Sequence, residues 1–127
     1  MAYRILIVED HPTMREALRL VLVSEELEIL EAADGTTALA LARSSPPDLV
    51  LLDLHIPGTP GEEVLAALKA DPATAEARVI VVTATGEEGR ARAMAVGADA
   101  YFTKPFSPTA LLRAVERARE APSQPGS

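Results

Sequence analysis

With 127 residues, 48% of them apolar and none of them Cys, the chain has the size of one domain with one core and excludes a disulfide framework or a Cys-ligated metal. A formal net charge of −7 and 3% aromatic content oppose nucleic-acid binding, which needs clustered cations or stacking rings. No apolar run approaches the roughly 18 residues of a membrane span, and Met1-Ala2-Tyr3-Arg4 does not resemble a signal peptide, so a cytoplasmic protein without membrane contact is expected.

Ile5-Leu6-Ile7-Val8 is an apolar, β-branched run that ends abruptly in Glu9-Asp10. Such runs suit strands buried on both faces. From Pro12 the period becomes helical. Met14, Leu18, Val21 and Leu22 share one face, Arg15, Glu16 and Arg19 the other, and Pro12 fits the first turn. Leu27–Ala32 reads as a strand of imperfect alternation. Asp34-Gly35 is a turn and cap, followed by a helix over 37–43 that Ser44-Ser45-Pro46-Pro47 stops. The strand Leu49–Leu52 ends at Asp53, and Pro57-Gly58 turn the chain. Taken alone, Asp53 reads equally as a turn aspartate and as a reactive carboxylate.

A helix is expected over 62–70, with Val64, Leu65 and Leu68 facing the core and Asp71-Pro72 closing it. Residues 78–82 read as a strand ending in Thr83-Ala84-Thr85-Gly86. Residues 87–96 read as one helix, weakened at Gly89 by about 1 kcal/mol relative to Ala and capped by Gly97. Residues 99–103 form a short strand. Ser107-Pro108 start a last helix whose expected core face is Leu111, Leu112, Val115 and Ala118. The domain is expected over 1–120, with 121–127 as a flexible tail or the start of a linker.

Five βα repeats with apolar strands imply a parallel sheet covered by helices on both faces. Parallel strands all end on one side, where ligands bind. Glu9-Asp10, Asp53, Thr83 and Lys104 follow four of the strands and converge there. Three clustered carboxylates repel; Lys104 offsets part of that charge, and the rest invites a hard cation with oxygen ligands. Mg²⁺ fits, with Mn²⁺ able to substitute. Zinc does not, because His11 and His55 are the only imidazoles and lack ligand spacing. With a metal in place, a carboxylate can attack phosphorus and form an aspartyl phosphate, the Lys104 and Thr83 side chains neutralising the transferred group.

Ile7-Val8-Glu9-Asp10, the segment from Leu51 through Pro57-Gly58, Val82-Thr83-Ala84 and Lys104-Pro105-Phe106 resemble the signature segments of the response-regulator receiver domain of two-component signalling. The resemblance runs from about Tyr3 to Arg119. It implies a flavodoxin-like (βα)5 three-layer sandwich with a five-stranded parallel sheet in the order 2-1-3-4-5. It implies that Asp53 is the phospho-acceptor and that Glu9 and Asp10 bind Mg²⁺ with Asp53 and the backbone carbonyl of His55. Thr83 resembles the switch hydroxyl, Lys104 the phosphate-binding lysine ahead of a peptide bond that is often cis, and Tyr101 the switch aromatic. His55 and Thr85 occupy positions that tune dephosphorylation. Arg90, Arg92, Tyr101 and Arg113 are candidates for a partner face on the fourth helix, fifth strand and fifth helix. His11 reads as a solvent-facing loop residue without a role.

The implied function is a phosphorylation-activated switch rather than a turnover enzyme. The phosphoryl group comes from a sensor histidine kinase or a histidine phosphotransfer protein, and the output is a downstream effector or an output domain. Two other readings remain: an aspartyl-phosphate phosphatase or phosphotransferase, and an unphosphorylated receiver-like interaction module. The first commonly carries an Asp where this chain has His55; the second expects a missing acid, threonine or lysine, and none is missing.

Overall fold

The computed structural model describes residues 3–22 and 26–120; the expected tail over 121–127 lies outside them. The elements alternate throughout: β1 Tyr3–Val8, α1 Pro12–Val21, β2 Leu27–Ala32, α2 Gly35–Ser44, β3 Leu49–Leu52, α3 Gly61–Ala70, β4 Arg78–Thr83, α4 Arg90–Val96, β5 Ala100–Thr103 and α5 Pro108–Glu120. The five strands are parallel in the order β2-β1-β3-β4-β5. The implied fold is therefore the observed one.

Two apolar layers flank the sheet, because alternate residues of each strand point to opposite faces. Leu6, Val8, Val50, Leu52, Val79, Val81 and Tyr101 pack with α2, α3 and α4 through Ala38, Ala42, Val64, Leu65, Leu68 and Ala93. Ile5, Ile7, Leu49, Leu51, Ile80 and Val82 pack with α1 and α5 through Leu18, Leu22, Leu111 and Val115. All four residues of β3 are buried, which explains a run with no polar alternation. Edge strand β2 is only half-buried over most of its length. That leaves room for Glu28, paired with Arg4 at 3.1 Å, and Glu31, paired with Arg15 and Arg19 at 3.0 and 2.9 Å.

Two boundaries and one core assignment differ notably from expectation. α2 starts two residues earlier, at Gly35, because Asp34 caps it by accepting the Thr37 backbone N–H at 2.7 Å. That bond also holds the Asp34 carboxyl below its ordinary pKa. The helix read over 87–96 is divided into a 3-10 turn over Glu87–Gly89 and α4 proper. The Gly86 carbonyl accepts both the Gly89 N–H at 3.2 Å and the Tyr101 hydroxyl at 2.9 Å, which fixes a tight turn there. Leu112, assigned above to the core, is 38% exposed. The inward line of α5 is Leu111 and Val115, four residues apart, and Leu112 lies about 100° around the helix from Leu111.

The loop after β3 is pressed onto the start of α3. A Cβ placed on Gly61 would lie 2.4 Å from Leu54 Cα and 2.8 Å from the Asp53 carbonyl oxygen. Only a residue without a side chain lets α3 approach this closely. Gly61→Ala is therefore expected to lower stability by about 1–3 kcal/mol through overpacking, measured by urea unfolding; an unchanged midpoint would refute the contact.

Candidate functional site

The parallel ladder continues one residue past three strands. Glu9 N–H donates to the Ala32 carbonyl at 3.0 Å, Asp53 N–H to Val8 at 3.0 Å and Lys104 N–H to Thr83 at 2.8 Å. The main chain of each charged residue is thus fixed by its neighbouring strand. Val8 pairs with Leu52 in register, so Glu9 and Asp53 follow at the same level. The pairings Leu52–Val81 and Thr83–Thr103 set Lys104 two residues further along. With alternation carried through, Glu9, Asp53 and Lys104 fall on the α1/α5 side of the sheet, and Thr83 and Tyr101 on the α2/α3/α4 side.

The side chains obey this division. Glu9 and Asp53 are 1% and 4% exposed, and Lys104 Nζ donates to both, to Glu9 Oε1 at 2.7 Å and to Asp53 Oδ2 at 2.9 Å. Burial alone would lower the Lys104 pKa, but the hydrogen bonds to Glu9 and Asp53 outweigh it and hold it above the ordinary lysine value. Asp53 Oδ1 accepts the His55 backbone N–H at 2.9 Å. The Lys104-Pro105 peptide is cis.

Asp10 lies beside this group, and its Oδ1 is buried with no hydrogen-bond partner. His11 Nδ1 approaches it to 3.2 Å without completing a hydrogen bond. An orphaned carboxylate oxygen next to a second carboxylate is costly unless a cation satisfies it. The donor set therefore fits a hard divalent metal. Among the described residues, Glu9, Asp10 and His11 have ligand atoms within 4.8 Å of one another. Asp53, in the metal set implied above, is turned to Lys104 and the His55 N–H.

Thr83 is fully buried, and its hydrogen bonds run to Thr85, not to Asp53. Its hydroxyl donates to Thr85 Oγ1 at 3.5 Å and accepts the Thr85 N–H at 3.4 Å. His55 Nε2 and Thr85 Oγ1 are hydrogen-bonded at 2.5 Å, so the two residues singled out for tuning are in contact. Tyr101 is 4% exposed, with its hydroxyl donating to the carbonyls of Thr85 at 3.1 Å and Gly86 at 2.9 Å. Burial raises its pKa. Arg90 stacks on its ring at 5.0 Å and pairs with Glu87, while Arg92 pairs with Glu62 at 3.2 Å. Tyr101 is therefore beneath the α4–β5–α5 face rather than on it. Among the described residues, the large exposed apolar side chains of α4 and α5 are Met94, Val96 and Leu112.

Two contributors escaped the sequence reading. Arg15, assigned to the solvent face of α1, donates through Nη1 to the Glu9 carbonyl at 2.9 Å and through Nε to Glu31 at 3.0 Å. It ties the acidic turn to β2. His11 is exposed as expected, but its backbone N–H donates to Glu9 Oε2 at 3.1 Å. Its place directly after the acid pair was the one available signal.

Removing the Lys104 ammonium leaves two buried carboxylates facing each other. Lys104→Met is expected to cost about 3–5 kcal/mol in metal-free buffer, read by chemical denaturation. A loss below about 1 kcal/mol, the size of an exposed pair, would refute the bridge.

The comparisons with known proteins bear on this geometry. The family model described as the response regulator receiver domain matches residues 5–116. The phosphate regulon transcriptional regulatory protein PhoB of Pseudomonas aeruginosa is 43% identical over 109 residues, which are 85% of this chain and 48% of that protein. The chain thus spans about half the length of the curated relatives it matches. The signal receiver domain of a DNA binding response regulator from Colwellia psychrerythraea superposes with a TM-score of 0.87 at 31% identity, covering 94% of this chain and 99% of that one. The Mn²⁺-bound form of response regulator Rcp1 superposes with a TM-score of 0.77 at 30% identity, covering 91% and 90%. A matching family model across nearly all described residues, on a sheet whose carboxyl edge gathers acids, hydroxyl and lysine, establishes that the chain belongs to the response regulator receiver domain family.

Proposed function

We propose that Asp53 accepts a phosphoryl group from a phosphohistidine on a sensor kinase or histidine phosphotransfer protein, and that the acyl phosphate switches partner binding. One observation carries this reading: a single ammonium, Lys104 Nζ, bridges the two most buried carboxylates of the sheet edge. A cap or turn aspartate has no use for such a partner. Glu9, Asp10, Asp53 and the His55 carbonyl would hold Mg²⁺ or Mn²⁺, whose charge, when bound, neutralises the transferring phosphoryl oxygens.

The chain's own groups have separate tasks. An Asp53 carboxylate oxygen attacks phosphorus; the P–N bond of the donor breaks, and its electron pair remains on the leaving imidazole, which takes up a proton. Lys104 trades its bond to Asp53 for a phosphoryl oxygen. Thr83 holds its hydroxyl through contacts of 3.4–3.5 Å, longer than an ordinary O–H···O bond, so turning it toward the phosphoryl group sacrifices little. His55 and Thr85 modulate the attack of water on the acyl phosphate. The receiver domain is assigned to 1–120, with 121–127 as tail or linker and a cytoplasmic setting. Met94, Val96, Leu112, Arg90, Arg92 and Arg113 supply the face that an effector or output domain reads. The self-catalysed steps are phosphorylation from a donor and autodephosphorylation, not turnover of a substrate.

Incubation with Mg²⁺ and acetyl phosphate, followed by intact-mass measurement, tests the acceptor. Wild type is expected to gain one phosphoryl mass, and Asp53→Asn or wild type in excess chelator none. No gain in wild type would sink the proposal. The same assay run as a decay follows the tuning pair: His55→Ala and Thr85→Ala should alter the half-life of the phospho-protein, and unaltered half-lives in both would remove that role.

A further inference from the structure

Thr85 is held from two directions. Its hydroxyl is bonded to His55 Nε2 at 2.5 Å, from the loop that carries Asp53. Its carbonyl, together with that of Gly86, receives the Tyr101 hydroxyl. Gly89 closes the same spot: a Cβ there would lie 2.7 Å from Tyr101 Oη and 3.0 Å from Thr85 Cγ2. The end of the phenol, the Thr85 methyl and the Gly89 backbone therefore fill one space. A shift of Thr85 bears on the tyrosine, because both carbonyls that accept the buried phenol belong to adjacent residues of this one loop and move with it.

We infer that His55 is a positioning residue for Tyr101. Through its bond to Thr85, it sets the 84–86 loop at the height where the Thr85 and Gly86 carbonyls capture the phenol. The loop's ties to Thr83, at 3.4 and 3.5 Å, lie at the long end of hydrogen bonding, and the His55 bond is the side-chain tether that joins it to the loop after β3. The same residue faces Asp53 with its main chain, donating its N–H to Oδ1 at 2.9 Å. Resting on the reading of Asp53 as phospho-acceptor, a change at that carboxylate reaches the tyrosine through one residue: main chain on one side, imidazole on the other. This joint depends on this chain's imidazole at 55 and hydroxyl at 85, and an Ala at either position would lack it.

The chain has no Trp and two Tyr, so in a Tyr3→Phe background all tyrosine fluorescence comes from Tyr101. Acrylamide quenching at neutral pH then reads the exposure of that one ring in unphosphorylated protein. In that background the quenching constant is expected to rise about two-fold or more in His55→Ala and in Thr85→Val, and no further in the double variant, as one shared bond requires. His55→Gln, whose amide reaches about as far as the imidazole Nε2, should keep the parental value. Unchanged quenching in both single variants, effects that add, or His55→Gln matching His55→Ala would each overturn the inference. Thr85→Val retains the methyl against Gly89, so it decides the matter should His55→Ala fail to fold. No phosphoryl group enters this measurement. A phosphorylated Asp53 alongside unchanged quenching would remove the joint and leave the acceptor; an unphosphorylatable protein with the expected quenching would do the reverse.

Discussion

The carboxyl edge of the sheet is governed by the cost of keeping Glu9 and Asp53 charged, buried and close together. Two carboxylates at the same level of adjacent strands repel, and both are buried, where solvent screening is weak. The arrangement is tolerable because Lys104 Nζ reaches back two residues along the sheet to donate to both. Neighbouring bonds support this contact. The ladder bonds that extend past β1, β3 and β5 fix the three main chains, so the side-chain geometry does not depend on loop conformation. Arg15 holds the Glu9 carbonyl from α1. One ammonium against three carboxylates leaves the edge negative, and Asp10 Oδ1 is buried without a hydrogen-bond partner, so the donor set fits a cation.

The pleat then divides labour. The charged groups Glu9, Asp53 and Lys104 fall on the α1/α5 side, while Thr83 and Tyr101 fall on the side packed by α2, α3 and α4. The two sets are thus separated by the thickness of a single strand residue. Beyond the strand ends the loops bring residues of the two sets together. That is where the His55–Thr85 bond lies.

Much of this was legible in the residues, and the reasons are physical. Apolar runs such as Leu49–Leu52 betray strands buried on both faces, and a charge that abruptly ends such a run can only lie at a sheet edge. Five βα units then bring Glu9, Asp10, Asp53, Thr83 and Lys104 to one side without knowledge of any contact. Side-chain contacts distant in sequence left no such trace. Leu112 looked like core because Leu111 and Leu112 are interchangeable in a pattern until the azimuth of α5 is known. Arg15 looked solvated because its acceptors, the Glu9 carbonyl in the turn before α1 and Glu31 of β2, lie outside its own helix. Tyr101 looked like a surface member of β5, whereas its hydroxyl is committed to carbonyls 15 and 16 residues away.

Gly89 shows how a local penalty is explained by a distant requirement. As a helix residue it is a weak choice, and helix propensity alone reads it as a source of looseness. In the fold it is buried, and any side chain there would collide with the Tyr101 hydroxyl. The helix break, the 3-10 turn and the buried phenol are one feature: the turn leaves the Gly86 carbonyl free to accept the tyrosine as well as its own i+3 partner. Glycine is thus required for occupancy of the pocket rather than for flexibility of the helix. Because the Thr85 methyl lies against the same point, the tyrosine pocket is shaped by a residue that also touches the acceptor loop. The Tyr101 pocket and the loop that follows Asp53 consequently share a wall at Thr85, and close packing there leaves little room to move one without the other.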